Sequence, residues 1–278
     1  MPSAESLYRE VESMNKTISP LRLYLSYVGV ILKSTMQYKA SLALTIFARC
    51  IVAFGEFFGI YFLFSGFTGM KGYTYGDILL CFSAVQLSFA LSECLCGGFK
   101  SFAGMVRKGE FDLILARPIS PILQVISSKF DLGRTGPMIT AVITMFLGVR
   151  AAAVLWTPLR ILTFFLMIVG GFLLFDALFL IEATCSFFVI GNVAIFNVLT
   201  YGAKTHGKYP FDVYGKGVFA FCTYLIPYTL VQYYPLQYLL GRTDNLLCVF
   251  APLGAFVFVL LSLVFWNFGV KKYKSSGS

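Results

Sequence analysis

Long apolar runs without charged residues are the feature that most constrains how this chain folds. Several of these runs approach the roughly 20 residues that an α-helix needs to cross the hydrocarbon core of a bilayer. A soluble chain of 278 residues would form one or two domains and would not concentrate its apolar residues in this way. The chain is 58% hydrophobic and 13% charged, about half the charge of an average soluble domain. We therefore predict an all-α, polytopic membrane protein.

The apolar runs predict six transmembrane spans. The spans are placed at about 42–66, 77–98, 133–150, 159–186, 217–239 and 246–270. The third span contains Gly136 and Pro137, and the fifth contains Pro227 and ends in the aromatic run Tyr233-Tyr234-Pro235. Such a proline-broken aromatic run is typical of an interfacial or re-entrant turn. The third and fifth spans are therefore the least regular of the six.

The distribution of basic residues predicts the orientation. Residues 1–40, the connections near 99–134 and 187–216 and the C-terminal tail together hold 17 of the 22 Lys and Arg residues. The opposite side holds four, and Arg49 lies within the first span. By the positive-inside rule the basic side is cytoplasmic, so both termini are predicted to be cytoplasmic. The first 20 residues are polar, so the first span is expected to serve as its own insertion signal.

Several classes of function lack the residues that they need. The net charge of +9 is spread between apolar runs and forms no continuous basic face, so we expect no nucleic-acid partner. The seven cysteines include Cys94 and Cys96, but the single histidine, His206, is distant in sequence, so no metal site is expected. The sequence contains neither a H-E-x-x-H nor a G-x-S-x-G motif, and no catalytic residues are predicted.

One motif imitates a nucleotide-binding loop. The run GAKTHGKY at 202–209 has the G-x-x-x-x-G-K spacing, but Tyr209 stands where Ser or Thr should bind magnesium. No strand of a βαβ unit precedes it. We interpret this run as a flexible basic loop on the cytoplasmic side.

A pattern before the first span predicts an amphipathic helix. Leu21, Leu25, Val28 and Leu32 recur at spacings of four, three and four residues, and most of the nearby basic residues lie off this stripe. The continuity with the first span favours a helix on the inner membrane surface. A soluble cap is the alternative.

Charged residues inside the spans are expensive in a bilayer and therefore informative. Arg49 and Glu56 are seven residues apart on nearly the same face of the first span, so an ion pair between them would be stretched by about 10 Å along the axis. Glu56 is expected to face another helix or a water-filled path, or to be a protonated packing residue. Asp176 and Glu182 in the fourth span, with Glu56, are the candidates for a proton relay.

Small residues predict close helix packing. Gly55 and Gly59 form a GxxxG motif in the first span, and Gly136, Thr140, Thr144 and Gly148 recur every four residues in the third. The pattern leaves open whether the close approach lies within one subunit or across a dimer.

The connection between the second and third spans is the most specific local signal. It combines basic residues with Glu110 and Asp112, and the A-R-P-I-S-P run ends a predicted short helix at Pro118. That helix would present Phe111 and Leu115 with charged neighbours to a cytoplasmic partner. The alternative is an ordinary polar loop.

The order of several motifs along the chain resembles the ABC type-2 (ABC-2 family) transporter permease subunits of bacteria. The motifs are Q-Y-K-A at 37–40, G-E-F-D-L-I-L-A-R-P-I-S-P at 109–121, Y-P-F-D-V-Y at 209–214, I-P-Y…Y-Y-P at 226–235 and Y-K-S-S-G-S at 273–278. The likeness extends over nearly the whole chain. It implies one transmembrane domain over 1–278, with a cytoplasmic segment and interfacial helix at 1–40, a six-span bundle at 41–270 and a cytoplasmic tail at 271–278. Family members often carry an F-W pair late in the fourth span, where this chain has Ser186-Phe187-Phe188.

The resemblance implies a permease that has no nucleotide-binding domain of its own. Its expected partners are ABC ATPase subunits, which bind the ATP and Mg, together with a second permease subunit and membrane lipids. The expected location is the bacterial cytoplasmic membrane. The family carries a coupling helix in the cytoplasmic connection between spans two and three, which in this chain points to Arg107, Lys108, Glu110, Phe111, Asp112 and Arg117.

The resemblance also implies that substrate moves along the subunit interface. Residues for this path are assigned from span position and not from a matched motif: Glu56, Phe57, Phe82, Phe89, Tyr224 and Tyr228. We expect an ATP-driven exporter that works by alternating access. A secondary, proton-coupled transporter is the main alternative, although no inverted repeat is visible. A membrane-embedded lipid-modifying enzyme would need clustered polar groups that the sequence does not offer.

Overall fold

The computed structural model describes residues 20–66, 70–188 and 197–273, which form helices joined by turns. Five helical stretches in these ranges are long and apolar enough to cross a membrane: Arg22–Gly66, Tyr75–Leu95, Leu132–Ala151, Pro158–Cys185 and Leu246–Lys272. The prediction of an all-α, polytopic membrane protein is confirmed. The predictions for residues 1–19 and 274–278 lie outside the described residues.

Helix α1 (Pro20–Thr35) leads into α2 (Lys39–Gly66) through a single 3-10 turn at Met36–Tyr38. The predicted helix before the first span is therefore present and continuous with that span. The Tyr24 hydroxyl donates to the Leu95 carbonyl at 2.9 Å, which fixes α1 beside the end of the second span. Its position at a membrane surface stays a prediction.

Helix α3 (Tyr75–Leu95) forms the centre of the bundle. Its start is set by a capping box, in which Thr74 accepts from the Asp77 backbone and the Asp77 carboxylate accepts from the Thr74 backbone. Helices α7 (Thr135–Ala151) and α8 (Pro158–Cys185) pack against it, and α3 is buried along most of its length.

Small residues make this packing close. A side chain at Gly148 would meet the Leu80 backbone nitrogen at 3.0 Å, and one at Gly136 would meet the Ile46 carbonyl at 2.5 Å. The small-residue stripe of the third span thus serves contacts within the subunit. Gly55 and Gly59 of α2 have no described atom within 4 Å of where a Cβ would lie.

Three short helices form the connection between the second and third spans. They are α4 (Gly97–Arg107), α5 (Glu110–Leu115) and α6 (Pro121–Ser127). Gly109 separates α4 from α5 with a φ of +70°, a left-handed conformation that glycine adopts without strain. We call the end of the bundle that carries these helices the inner end and the end that carries residues 70–74 the outer end, following the predicted orientation.

The predicted fifth span at 217–239 is wrong. This region forms α10 (Lys216–Tyr224), α11 (Tyr228–Val231) and α12 (Tyr233–Leu239), preceded by a short α9 (Ala203–His206). Before α10, the Asp212 carboxylate lies 3.3 Å from the Tyr73 hydroxyl. At the far end, Gln237 donates to that same hydroxyl at 2.6 Å, and Arg242 donates to the Gly72 carbonyl at 2.6 Å. Since both of its ends lie at the outer end of the bundle, residues 216–239 form a re-entrant hairpin and do not cross.

Thr184 lies at the inner end and Asp212 at the outer end, and the connection between them includes residues 189–196, which are outside the described ranges. After the hairpin, α13 (Leu246–Phe250) and α14 (Gly254–Lys272) return it to the inner end, where Gly269 lies against Thr184. The structure places Lys216 at the outer end, and Lys204 and Lys208 within the bundle. The number of Lys and Arg residues on the inner side therefore falls from 17 to 14, and the number on the outer side rises from four to five. The charge asymmetry survives, and the predicted total of six crossings stays a prediction.

Candidate functional site

The inner connection exposes a charged surface. The side chains of Arg107, Lys108, Glu110 and Arg117 are exposed, and Asp112 is partly buried. Lys108 and Glu110 lie 3.8 Å apart at 73% and 51% side-chain exposure, so their pairing contributes little to stability. Five of the six residues assigned to the coupling helix thus reach the inner surface. Whether they contact a partner stays a prediction.

Phe111, the sixth residue, has a different position. Its side chain is fully buried and packs among rings at the inner end of the bundle. The centroid of its ring lies 5.0 Å from that of Phe102, 5.2 Å from that of Phe187 and 5.1 Å from that of Tyr273. Phe111 therefore fixes α5 to three other segments of the bundle, and a movement of α5 would be transmitted to them.

Two further contacts make the inner connection rigid. The buried Gln124 amide donates to the carbonyls of Ile114 and Ile119 at 3.1 and 2.9 Å, which joins α6 to the end of α5. A side chain at Gly98 would lie 1.8 Å from the Val125 carbonyl oxygen, so α4 and α6 pack backbone to backbone. The ordinary polar loop that the sequence left open is not what forms here.

A buried carboxylate connects the inner connection to the spans. Glu93 at the end of α3 has a side chain that is only 1% exposed. The Lys100 ammonium donates to its Oε1 atom, and the Tyr201 hydroxyl donates to the same oxygen at 2.5 Å. Arg134 Nη1 lies 2.6 Å from Oε2. These contacts join α3, α4, the start of the third span and the segment after α8 at one point.

Asp131 extends this network to the first span. Arg49 Nη1 donates to its carboxylate at 2.8 Å, and Arg134 Nε lies 3.5 Å away. Burial acts to raise the pKa of Asp131, but the hydrogen bond and charge of Arg49 and the charge of Arg134 outweigh it and hold the pKa below its usual value. The carboxylate therefore stays ionised and paired near neutral pH. Arg49 pairs with Asp131 and not with Glu56.

Glu56 has two lysine partners. Lys204 Nζ lies 3.2 Å from Oε1 and Lys208 Nζ lies 3.5 Å from Oε2. Lys204 lies in α9 and Lys208 lies two residues beyond its end, and both ammonium groups reach the same carboxylate of α2. The interpretation of 202–209 as a flexible basic loop is wrong, because the segment is helical through His206 and its lysines bind an acidic residue of the first span.

The carboxylates proposed for a proton relay lie in different surroundings. Asp176 accepts a hydrogen bond from Ser92 of α3, and Glu56 is occupied by its lysines. Glu182 is partly buried near the end of α8. Within the described ranges, no three Asp, Glu, His or Cys side chains gather in a way that would hold a metal ion.

The remaining residues assigned to the substrate path fall into two groups. Phe82, Phe89 and Tyr228 are buried core residues; the Phe89 ring packs 4.9 Å from that of Phe175. Tyr224 is 88% exposed in the re-entrant hairpin, and Phe57 is partly buried beside Glu56. The structure brings Phe89 close to Glu56 and Phe57, because the Lys204 ammonium group that pairs with Glu56 also lies 5.7 Å from the centre of the Phe89 ring. A role in substrate passage stays a prediction for all six.

Sequence reasoning missed five residues of these networks: Lys100, Arg134, Tyr201, Lys204 and Lys208. The four-residue spacing of Lys204 and Lys208 was a usable signal, because in a helical segment that spacing would bring both ammonium groups to one side. An acidic residue alone in a span also predicts a basic partner on another span.

Comparison with known proteins supplies one finding. A protein-family model described as ABC-2 family transporter protein matches residues 50–277. Neither the curated proteins nor the solved structures contain a match to the chain.

Proposed function

The chain belongs to the ABC-2 transporter family, and on that premise we propose that it is the permease subunit of an ATP-driven exporter. It forms the membrane pathway, and separate ABC ATPase subunits bind ATP and Mg. We place it in the bacterial cytoplasmic membrane with both termini in the cytoplasm, which the inner excess of basic residues supports.

The observation that carries this proposal is the anchored helix α5. Glu110 and its basic neighbours Arg107 and Lys108 lie on the inner surface, while Phe111 on the same short helix is fully buried among rings of three segments. A surface that must transmit force needs both an exposed contact and a rigid attachment, and α5 combines them. Closure of the ATPase subunits on ATP would move α5, and the bundle would open outward by alternating access.

A second permease subunit, identical or paralogous, completes the pathway in this proposal. Helix α2 supports it, because large apolar side chains such as Val52, Phe58 and Phe62 are exposed along it and Gly55 and Gly59 leave room for a close approach. The ion pairs of Glu56 place the segment around α9 beside α2. Helix α2 and the segment around α9 would then line the route together.

Charge reversal on α5 tests the coupling role. The chain would be co-expressed with the ABC ATPase encoded beside it, and the amount of ATPase retained and the vanadate-sensitive hydrolysis would be measured. We expect Glu110→Lys to reduce ATPase retention by about tenfold, which corresponds to a loss of ~1.4 kcal/mol in the binding free energy between the chain and the ATPase. Asp244→Lys makes the same change at an exposed position of the outer end and should retain the ATPase fully.

Two results would contradict the proposal. Equal ATPase retention by Glu110→Lys and Asp244→Lys would remove α5 as the docking site. Full transport by the purified chain in liposomes without any ATPase would remove the exporter mechanism itself and favour a secondary transporter.

A further inference from the structure

Two lysines share one carboxylate inside the bundle. Lys204 and Lys208 carry two positive charges, and among the described residues Glu56 supplies the carboxylate oxygens that lie within 4 Å of either ammonium group. The cluster therefore holds one positive charge in excess. Unpaired charge in apolar surroundings is costly, and such groups in membrane proteins mark the path of a charged ligand.

The hydrogen bonds of the cluster are incomplete. Lys204 donates to Glu56 Oε1 at 3.2 Å, but Lys208 stands 3.5 Å from Oε2, and that oxygen is buried without a hydrogen-bond partner in the described structure. An ammonium group has three donors. The lysines can therefore bind further acceptor oxygens without losing a strong contact.

The cluster lies at a depth where a resident lipid headgroup does not sit. Glu56 is 17 residues along α2 from Lys39 and ten from Gly66, or roughly 25 Å and 15 Å by the rise of an α-helix. Headgroups lie at the edges of a hydrocarbon core about 30 Å thick. An anionic group at Glu56 would therefore belong to a molecule that is moving between the two faces.

The surroundings of the cluster suit an amphiphile. The side chains of Lys204, Lys208 and Glu56 are 17%, 13% and 20% exposed, so the cluster is partly open and not sealed. About one turn before Glu56 on the same face of α2, Val52 is an exposed apolar residue against which an acyl or aryl part can lie. A compact inorganic anion would gain nothing from this apolar surface.

We propose that Lys204 and Lys208 bind the phosphate or carboxylate group of an amphiphilic substrate, and that Glu56 neutralises part of their charge when the site is empty. This inference rests on the proposed export function, and it narrows the substrate to anionic amphiphiles. Glu56 then competes with the substrate's anionic group. Removing its charge should strengthen anion binding, whereas a purely structural ion pair predicts no such gain.

Binding is tested with the full chain alone in nanodiscs of phosphatidylcholine, without ATP or an ATPase, so the result is independent of the coupling experiment. The probes are a photoreactive dodecyl phosphate and the matching photoreactive dodecanol, and the measurement is labelling of the chain. We expect the phosphate to label at least about tenfold more than the alcohol. Lys204→Gln with Lys208→Gln should lose this preference, and the exposed Lys272→Gln should keep it.

Glu56→Gln is the decisive variant, because misfolding would change labelling by both probes, whereas the proposal predicts a gain for the phosphate alone. We expect a several-fold increase in phosphate labelling and none for the alcohol. Equal labelling by the two probes in the wild type, or no gain in Glu56→Gln, would overturn the proposal. Repeating the labelling in nanodiscs that contain phosphatidylglycerol distinguishes two sources of the anionic group. If this lipid competes with the phosphate probe, the substrate is a lipid; if it does not, the substrate is a soluble anionic amphiphile.

Discussion

Replacing Glu93 by glutamine removes the charge at which four segments of the chain meet. The carboxylate is 1% exposed and contacts Lys100, Arg134 and Tyr201. Glutamine has nearly the same shape, so packing is preserved. What changes is that two partly buried cations lose the buried anion between them.

The size of the effect follows from the partners that remain. Removing one partner of a buried ion pair costs about 3–5 kcal/mol. Arg134 keeps Asp131 at 3.5 Å and Lys100 keeps the Tyr201 hydroxyl, so the lower end of that range applies. A loss of about 3 kcal/mol lowers Tm by about 6–12 °C for a chain of this size.

The measurement is thermal unfolding in detergent, followed by size-exclusion chromatography. Glu110→Gln is the matched control, because its partner Lys108 is at 3.8 Å and exposed, and its effect should stay below about 0.5 kcal/mol. Adding Lys100→Met to Glu93→Gln removes the surplus cation and should recover at least about half of the lost Tm. A Tm for Glu93→Gln within about 2 °C of the wild type, or a double variant less stable than the single one, would refute this reasoning.

Two further predictions concern the inner connection and the corrected topology. Gly98→Ala should destabilise the chain by roughly 1–3 kcal/mol, because its Cβ would lie 1.8 Å from the Val125 carbonyl oxygen. Gly104→Ala in the same helix meets no described atom within 4 Å and should be neutral in the same unfolding assay. Equal effects at both sites would contradict the close packing. Lys216→Cys should react with an impermeant maleimide from outside the cell and Lys108→Cys should not; labelling of both from the same side would contradict the re-entrant hairpin.

The long spans were predictable because hydropathy reports them directly. The predicted limits of 42–66, 159–186 and 246–270 lie close to the helices α2, α8 and α14. In each, apolar residues predominate over a length that matches the bilayer, and at most three charged residues interrupt them. The mean hydropathy along the sequence is sufficient to predict such segments.

The position of α9 within the bundle was missed because tertiary contacts hide it. Lys204 and Lys208 make the segment around α9 look like a polar connection, although Glu56 binds both of them within the bundle. The re-entrant hairpin looks like a span because Tyr228 and Leu236 are apolar, but they are buried by protein. Hydropathy does not distinguish burial in protein from burial in lipid.

The candidate site was predictable in part. The composition of 107–117 predicted the exposed charged residues at α5, and the A-R-P-I-S-P run predicted where this helix ends. The anchoring of Phe111 depends on Phe187 and Tyr273, which are far away in sequence, and no local pattern reports such contacts. The network around Glu93 was missed for the same reason.

The Tyr73 hydroxyl determines how the outer end can open. Burial and the Asp212 carboxylate raise the pKa of this phenol, so it stays protonated and donates to Asp212 while accepting from Gln237. Both ends of the hairpin thus bond to this one oxygen atom, in addition to the bond from Arg242 to the Gly72 carbonyl. Linked hydrogen bonds strengthen one another, so when either of the two bonds at the hydroxyl breaks, the remaining one becomes weaker. Release of one end of the hairpin should consequently weaken the attachment of the other end, so the two ends are coupled through this hydroxyl.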